Sequence, residues 1–288
     1  MEIRQLDFGD VQSLLPQWDP WGHKGSFGKV LLLGGSRGFT GAAYLAARGA
    51  LRVGTGLVFA GVPESIYPIE AVKMTEPVVF PLPEGDGKLS ERAVEPILER
   101  LPGMDAVLIG CGLGISEGTR TVVKAVLDTA KCPVVVDADG ISLLSGHMDI
   151  LYQRRESPTI VTPHDGEFAR MGGDLSDGDR VTAARKFAMT FGCLLVLKGH
   201  RTIICLPDGE IFVNTTGNSG MAKGGSGDVL SGILVSLLAQ GMHPVKAAVC
   251  AVWIHGRAGD LCAERLGERA MTPSDMIAAL GDVFKELE

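Results

Sequence analysis

Residues 218–232 read NSGMAKGGSGDVLSG. Five glycines and one acid, Asp228, stand immediately ahead of the apolar run Val229–Leu238. A glycine-rich turn that opens a helix leaves its first backbone N–H groups unpaired. Together with the positive end of the helix dipole they form a site for phosphate oxygens. Asp228 is out of place there, because a carboxylate repels an anion unless a proton has to be moved beside it. The competing reading is that Asp228 only caps the helix.

Upstream of this stretch, apolar β-type runs alternate with helical patterns. Strands are expected at Lys29–Leu33, Leu57–Val62, Ala106–Ile109, Pro133–Val136, Thr159–Val161 and Leu194–Leu197, with a hairpin over Thr202–Asn214 turned at Pro207-Asp208-Gly209. Between them lie helices near 40–52 (with Thr40 as its cap), 91–100, 118–130, from Gly140 and 179–191; after the glycine loop the chain reads as helical at 228–240, 244–266 and 273–287. Residues 63–83 carry five prolines and look less regular, and residues 1–22 read as an amino-terminal arm whose Leu14, Leu15, Trp18 and Trp21 pack on the body. Such alternation implies an α/β fold with a mainly parallel central sheet, right-handed crossovers and helices on both faces.

Polar clusters follow five of the strands. They begin at Gly34, Gly110, Asp137, Thr162 and Lys198, so all five should meet on the rim formed by the strands' carboxyl ends, where open α/β sheets bind ligands. Gly110-Cys111-Gly112-Leu113-Gly114 has the look of a dinucleotide loop without the full G-x-G-x-x-G pattern. Asp137 and Asp139 suit either a metal and phosphate site or a helix cap. His164 sits on the predicted rim as a ligand contact or as a brace for its turn, and Lys198-Gly199-His200-Arg201-Thr202 suits a nucleotide phosphate or ribose. In the Ala- and Gly-rich helix from Thr40, small residues permit close approach, either of a ligand or of a neighbouring helix.

With 288 residues and 45% hydrophobic content the chain can bury a substantial core, and no composition break divides it, so 1–288 reads as one domain. Its 39 glycines are roughly twice the usual share. A formal net charge of -7 argues against nucleic acid or an anionic membrane as partner. Six cysteines without CxxC spacing and six histidines without HExxH spacing signal neither zinc nor a disulfide framework. The first ten residues, MEIRQLDFGD, lack a secretion signal and the apolar runs are too short for a bilayer, so a cytoplasmic protein is expected.

HKGSFGKVLLLGGS (23–36), TPHDGEF (162–168), LKGHRT (197–202) and GNSGMAKGGSGDVLSGILVSLLAQG (217–241) together resemble the ADP/ATP-dependent NAD(P)H-hydrate dehydratases of the ribokinase-like superfamily. The resemblance runs from about His23 to Leu280. GGSGD alone would indicate the wider superfamily; its company with TPHDGEF and GNSGM is what points to the dehydratases. A ribokinase-like three-layer sandwich is implied, with a hydro-lyase activity that repairs NADH or NADPH hydrated at the nicotinamide ring. The nucleotide, ADP or ATP, drives loss of water. By that resemblance Asp228 is the base, assisted by Gly225, Ser226 and Gly227; Ala42, Gly112, Gly114, His164 and Asp228 bind the hydrated dinucleotide. Lys198, Gly199, His200, Arg201, Thr202, Asn218 and Gly227 bind the nucleotide. Mg²⁺ comes with the phosphates, with Asp137 and Glu167 as candidate contacts through water. A homotetramer and a separate epimerase are implied as well, since the chain has no room for the epimerase domain that is fused in many members.

Four positions depart from the family pattern. Cys111, Asp165 and Ser219 stand where proline is usual, and Lys223 where a small or neutral residue is common. Lys223 reads either as an added contact to the nucleotide's terminal phosphate or as a solvated lysine. Two other functions stay open: a ribokinase-like kinase for a small vitamin precursor, and a non-catalytic nucleotide-sensing module.

Overall fold

A computed structural model describes residues 3–288. Its strands are β1 (Ile3–Gln5), β2 (Lys29–Leu33), β3 (Leu57–Pro63), β4 (Val78–Leu82), β5 (Glu84–Gly85), β6 (Lys88–Leu89), β7 (Ala106–Ile109), β8 (Val134–Val136), β9 (Thr159–Val161), β10 (Leu194–Leu197), β11 (Ile203–Cys205) and β12 (Ile211–Val213). Ten of them form one sheet in the order β1-β12-β11-β10-β9-β8-β7-β2-β3-β4, and β5 and β6 make a small hairpin of their own. From β10 to β4 every pairing is parallel; β11 alone runs antiparallel to its neighbours. The chain goes from β2 outward to β3 and β4 and later resumes at β7 on the other side of β2, so the direction of winding reverses between β2 and β7. Crevices at such reversals, beyond the strands' carboxyl ends, take ligands.

The central strands are apolar throughout because both of their faces are covered. Val30 and Leu32 point into one core with Leu108, Val135, Ile160 and Val196, facing the helices Thr40–Arg52, Ser226–Ala239, Pro244–Leu266 and Pro273–Leu287. Leu31 and Leu33 point into the other with Ile109, Val136, Val161 and Leu197, facing the helices Glu117–Thr129 and Arg180–Phe191. This parity follows from the two-residue period of a strand.

Helix Thr40–Arg52 lies against helix Ser226–Ala239 with little between them. A Cβ on Gly49 would come within 3.0 Å of the Val229 carbonyl oxygen, and one on Gly232 would collide with the Ala46 carbonyl. Most of the small residues in the first helix therefore serve packing.

Three expectations change. Thr40 is the first helical residue and caps nothing: Phe39 precedes the helix without a side-chain capping bond, and the Thr40 hydroxyl instead accepts from Lys73 Nζ at 3.2 Å. The proline-rich stretch is ordered, with helix Tyr67–Lys73 and edge strand β4. In the amino-terminal arm, β1 joins the sheet beside β12, helix Phe8–Leu14 follows, and Trp18 stacks on Phe27 at 3.9 Å. Leu14 and Leu15 pack on the core as expected, whereas Trp21 is 92% exposed. Among the described residues no helix is long and apolar enough to cross a membrane.

Candidate active site

All five polar clusters meet on one rim. Gly35 N–H donates to the Cys111 carbonyl at 2.9 Å, Asp137 N–H to that of Ile109 at 3.1 Å, and Thr162 N–H to that of Val136 at 3.2 Å. Lys198 closes the row with its ammonium 2.7 Å from Asp137 Oδ1. Gly110, at φ +127°, allows its neighbour loop to approach: a Cβ there would run into the Asp137 carbonyl. Ala138, between the two rim carboxylates, holds the uncommon φ of 49°.

The glycine loop opens helix Ser226–Ala239 as the sequence predicts. Gly225 adopts φ +98° and leads into Ser226, whose N–H donates to the Lys223 carbonyl at 3.2 Å; no side chain caps the first turn, which leaves the Gly227 and Asp228 amides open. Asp228 lies in that first turn and makes no capping bond, which removes the capping reading. Beyond the loop opens a cavity of about 900 Å³. Its walls include Gly225, Ser226, Gly227, Asp228, His164, Asn218 and the whole of Lys198–Thr202.

Of the residues assigned to the hydrated dinucleotide, His164 and Asp228 line this cavity; Ala42, Gly112 and Gly114 are absent from its wall. They stand together nearby: a Cβ on Gly112 would lie 2.9 Å from the Ala42 Cβ, and Gly114 N–H donates to Asp139 Oδ2 at 2.9 Å. Asp139 is thereby a strut for the glycine loop. Asp228, on the cavity wall, lies beside this cluster, since Cys111 Sγ, Asp137 and Asp228 offer atoms all within 4.8 Å of one another.

Lys198 is not a free cation in the cavity. Its ammonium is committed to Asp137, with Glu167 Oε2 at 3.7 Å. Asp137, 1% exposed, also accepts from Ser231 Oγ at 2.7 Å and Ala138 N–H at 2.8 Å. Burial by itself would push the Asp137 carboxyl up, but the Lys198 charge and the hydrogen bonds from Lys198, Ser231 and Thr162 outweigh it and hold it below its ordinary range. For Lys198 burial works downward, and the charges of Asp137 and Glu167 win, keeping it cationic.

Asp228 goes the other way. Burial, then repulsion from Asp137, lifts its carboxyl from 3.8 to about 6, against weaker opposing pulls from Cys111 and Lys198. Two carboxylates in one pocket are thus driven apart in acidity, which is how a base poised near neutrality is made. The Cys111 thiol, fully buried between them, is pushed well above its usual value and is a neutral neighbour rather than a nucleophile.

His164 both lines the cavity and braces its turn: its Nδ1 accepts from Gly166 N–H at 3.0 Å and Glu167 N–H at 3.2 Å. Glu167 returns the favour by accepting from His164 N–H at 2.8 Å and does not reach the cavity wall. Asp165 is engaged by Arg180 at 2.8 Å, and the same Arg180 Nη2 donates to the Lys198 carbonyl at 2.9 Å, steadying the 198–202 loop.

Lys223 borders the cavity and is not a free solvated lysine. Its ammonium donates to the backbone carbonyls of Glu268, Arg269 and Met271. His255 escaped sequence reading altogether. It sits 9% exposed in helix Pro244–Leu266, with Nε2 2.9 Å from the Ser226 carbonyl. A carbonyl only accepts, so Nε2 carries the proton. Burial drives this imidazole down to about 4, leaving it a neutral donor that pins the start of the helix after the glycine loop. Nothing in its spacing signalled this, because the contact joins two helices.

Among the described residues the one cluster of ligand atoms, Cys111, Asp137 and Asp228, is a poor cage for Mg²⁺. Asp137 is taken by an ammonium, and a thiol is a poor ligand for a hard cation that wants six oxygens.

Residues 30–281 match the NAD(P)H-hydrate dehydratase family. The chain is 34% identical to an ADP-dependent (S)-NAD(P)H-hydrate dehydratase of Bacillus subtilis, with 96% of each chain covered. It is 44% identical to a bifunctional NAD(P)H-hydrate repair enzyme of Moorella thermoacetica over 99% of this chain and 54% of that one, so it spans about half the length of that relative. A crystal structure of the ADP/ATP-dependent NAD(P)H-hydrate dehydratase from Bacillus subtilis, co-crystallized with ATP/Mg²⁺, superposes with a TM-score of 0.88 at 33% identity, covering 100% of both chains. A ribokinase-like superfamily protein from Enterococcus faecalis gives 0.85 at 26% identity over 99% of this chain and 96% of that one. The polar rim, the open first turn and the match over nearly the whole length agree: the fold is ribokinase-like and the chain belongs to the NAD(P)H-hydrate dehydratase family.

Proposed function

We propose that this chain dehydrates the S epimer of hydrated NADH or NADPH at the expense of ADP, with ATP as the alternative donor. The observation that carries the reading is Asp228: a carboxylate lifted to about 6 in the first turn of a helix, on the wall of a cavity of about 900 Å³ and beside Cys111 of the glycine loop. Family membership and the naming of the Bacillus subtilis relative as ADP-dependent support it.

In this reading the nucleotide occupies the cavity, its reacting phosphoryl group against the amides of Gly225 and Gly227, while Ser226 N–H, held by the Lys223 carbonyl, fixes the turn between them. The ring carrying the hydroxyl lies on the side of Asp228 toward Ala42 and the 112–114 loop. Asp228 takes the hydroxyl proton as the oxygen attacks phosphorus, and the bond to the departing nucleotide breaks. The electron pair of the ring C–O bond then leaves with phosphate, a far better leaving group than hydroxide, and the neighbouring ring carbon gives a proton to the departing phosphate as its C–H pair becomes the new ring double bond. The loop amides meet the charge where it develops.

Residues 1–288 act as one unit in this proposal. Magnesium arrives bound to the nucleotide's phosphates, held through phosphate oxygens and water. A cytoplasmic assembly of four chains, fed by a separate epimerase, completes the reading.

Incubation of the protein with hydrated NADH and ADP tests it. Recovery of the near-ultraviolet absorbance of the reduced nicotinamide, with release of phosphate and AMP, is the expected result. A stable phosphorylated product would instead assign a kinase, and nucleotide binding without turnover a sensing module.

A further inference from the structure

The loop ahead of the glycine turn rests on one face of helix Pro244–Leu266. Trp253, Gly256 and Asp260 recur there at spacings of three and four residues, which sets them on one side of the helix. The Trp253 carbonyl accepts from Thr216 Oγ1 at 3.0 Å, and a Cβ on Gly256 would collide with that hydroxyl. One turn further on, Asp260 takes two bonds from the loop. Its Oδ2 accepts from Gly217 N–H at 2.9 Å and its Oδ1 from Asn218 Nδ2 at 3.1 Å.

These bonds fix which way the Asn218 amide faces. A carboxylate accepts and a backbone N–H donates, so Nδ2 turns to Asp260 and Oδ1 to Gly220 N–H, 3.0 Å away. The amide nitrogen carries two hydrogens, and Asp260 uses one of them. Among the described residues Nδ2 has no second acceptor. Asn218 is half-buried on the cavity wall, whereas Asp260 lies behind it and does not reach that wall.

We infer that Asp260 is a positioning residue for the nucleotide: by holding one hydrogen of the Asn218 amide it aims the other into the cavity, where it is donated to an acceptor atom of the bound nucleotide. This rests on the reading of the cavity as the nucleotide site. Asp260 itself touches no ligand and acts only through the orientation of Asn218.

Exchanging the two side chains separates this role from that of a structural clamp. In the double variant Asn218→Asp/Asp260→Asn every bond within the protein can persist. The new amide at 260 accepts from Gly217 N–H and donates to the new carboxylate at 218, which still accepts from Gly220 N–H. Net charge is unchanged. Only the group offered to the cavity differs, a lone pair where a hydrogen had been.

Wild type, Asp260→Asn and the double variant are compared by thermal unfolding and by calorimetric titration with ADP. Asp260→Asn, with an amide against two donors, should melt lower than wild type and bind ADP about tenfold more weakly. The double variant should regain the wild-type melting temperature yet stay at least about tenfold weak for ADP. The inference is overturned if the double variant binds ADP as wild type does, because the clamp is then structural alone, or if Asp260→Asn binds ADP unchanged. A double variant that melts as low as Asp260→Asn, or does not fold, counts equally against it, since the exchange should preserve the bonds. If wild type binds no ADP, the nucleotide reading fails and the inference with it, an outcome distinct from wild-type binding that the exchange leaves untouched.

Discussion

Lys198 and Asp137, 61 residues apart in the chain, form an ion pair of 2.7 Å at the floor of the cavity, and Gly227 rides above it so closely that a Cβ there would sit 3.3 Å from the ammonium. The pair keeps one carboxylate permanently charged beside Asp228. That standing charge, together with burial, lifts the Asp228 carboxyl to about 6.

Turnover should therefore follow an acid limb set by Asp228. The rate kcat/KM is expected to be flat above neutrality and to fall tenfold per pH unit below about 6. A pH profile measured with hydrated NADH checks this; a limb near 4 would mean that Asp228 is not the titrating base.

Replacing Asp137 by Asn removes the charge that repels Asp228 and leaves Lys198 to attract it. The limb should then move below 6, while the lost buried pair costs about 3–5 kcal/mol of stability. Profiles and melts of Asp137→Asn test both parts, and an upward move of the limb would contradict the electrostatic account.

Asp228→Asn should lose at least about a hundredfold in kcat and still bind nucleotide. Its stability makes a second, independent test. A carboxyl whose folded value is raised from 3.8 to about 6 favours the native state fully below 3.8, and this stability is lost as pH rises through 6. The rise corresponds to at most about 3 kcal/mol, reduced by partial exposure. Asn escapes the loss, so the variant should melt a few degrees higher than wild type at pH 8, with the difference vanishing toward pH 4. Identical melting curves at pH 8 would refute the buried, repelled state of Asp228.

Arg180 connects Asp165 to the Lys198 carbonyl without reaching the cavity wall itself. Arg180→Ala should raise the nucleotide KM about five- to tenfold, as loss of about 1 kcal/mol of loop support would, and leave kcat within about twofold. Steady-state kinetics with ADP varied decide it; an unchanged KM would show that the 198–202 loop holds its shape unaided.

Reading the sequence went furthest where one residue's neighbours in the chain are also its neighbours in space. The alternation of strands and helices, the convergence of five clusters on one rim and the open helix start at Gly225 were all legible, because strand and helix periods and turn chemistry are local. Thr40 misled because a threonine before an alanine run looks like a cap, whereas Lys73 had claimed its hydroxyl. What tertiary structure alone decided is who faces whom across it. The parallel register sets Lys198 on Asp137, helix packing brings His255 to the Ser226 carbonyl, and the 268–271 loop folds its carbonyls onto Lys223. The acidity of Asp228 belongs to the same class: the residue is in the sequence, but its value near 6 comes from burial and from a second carboxylate that only the folded sheet places beside it.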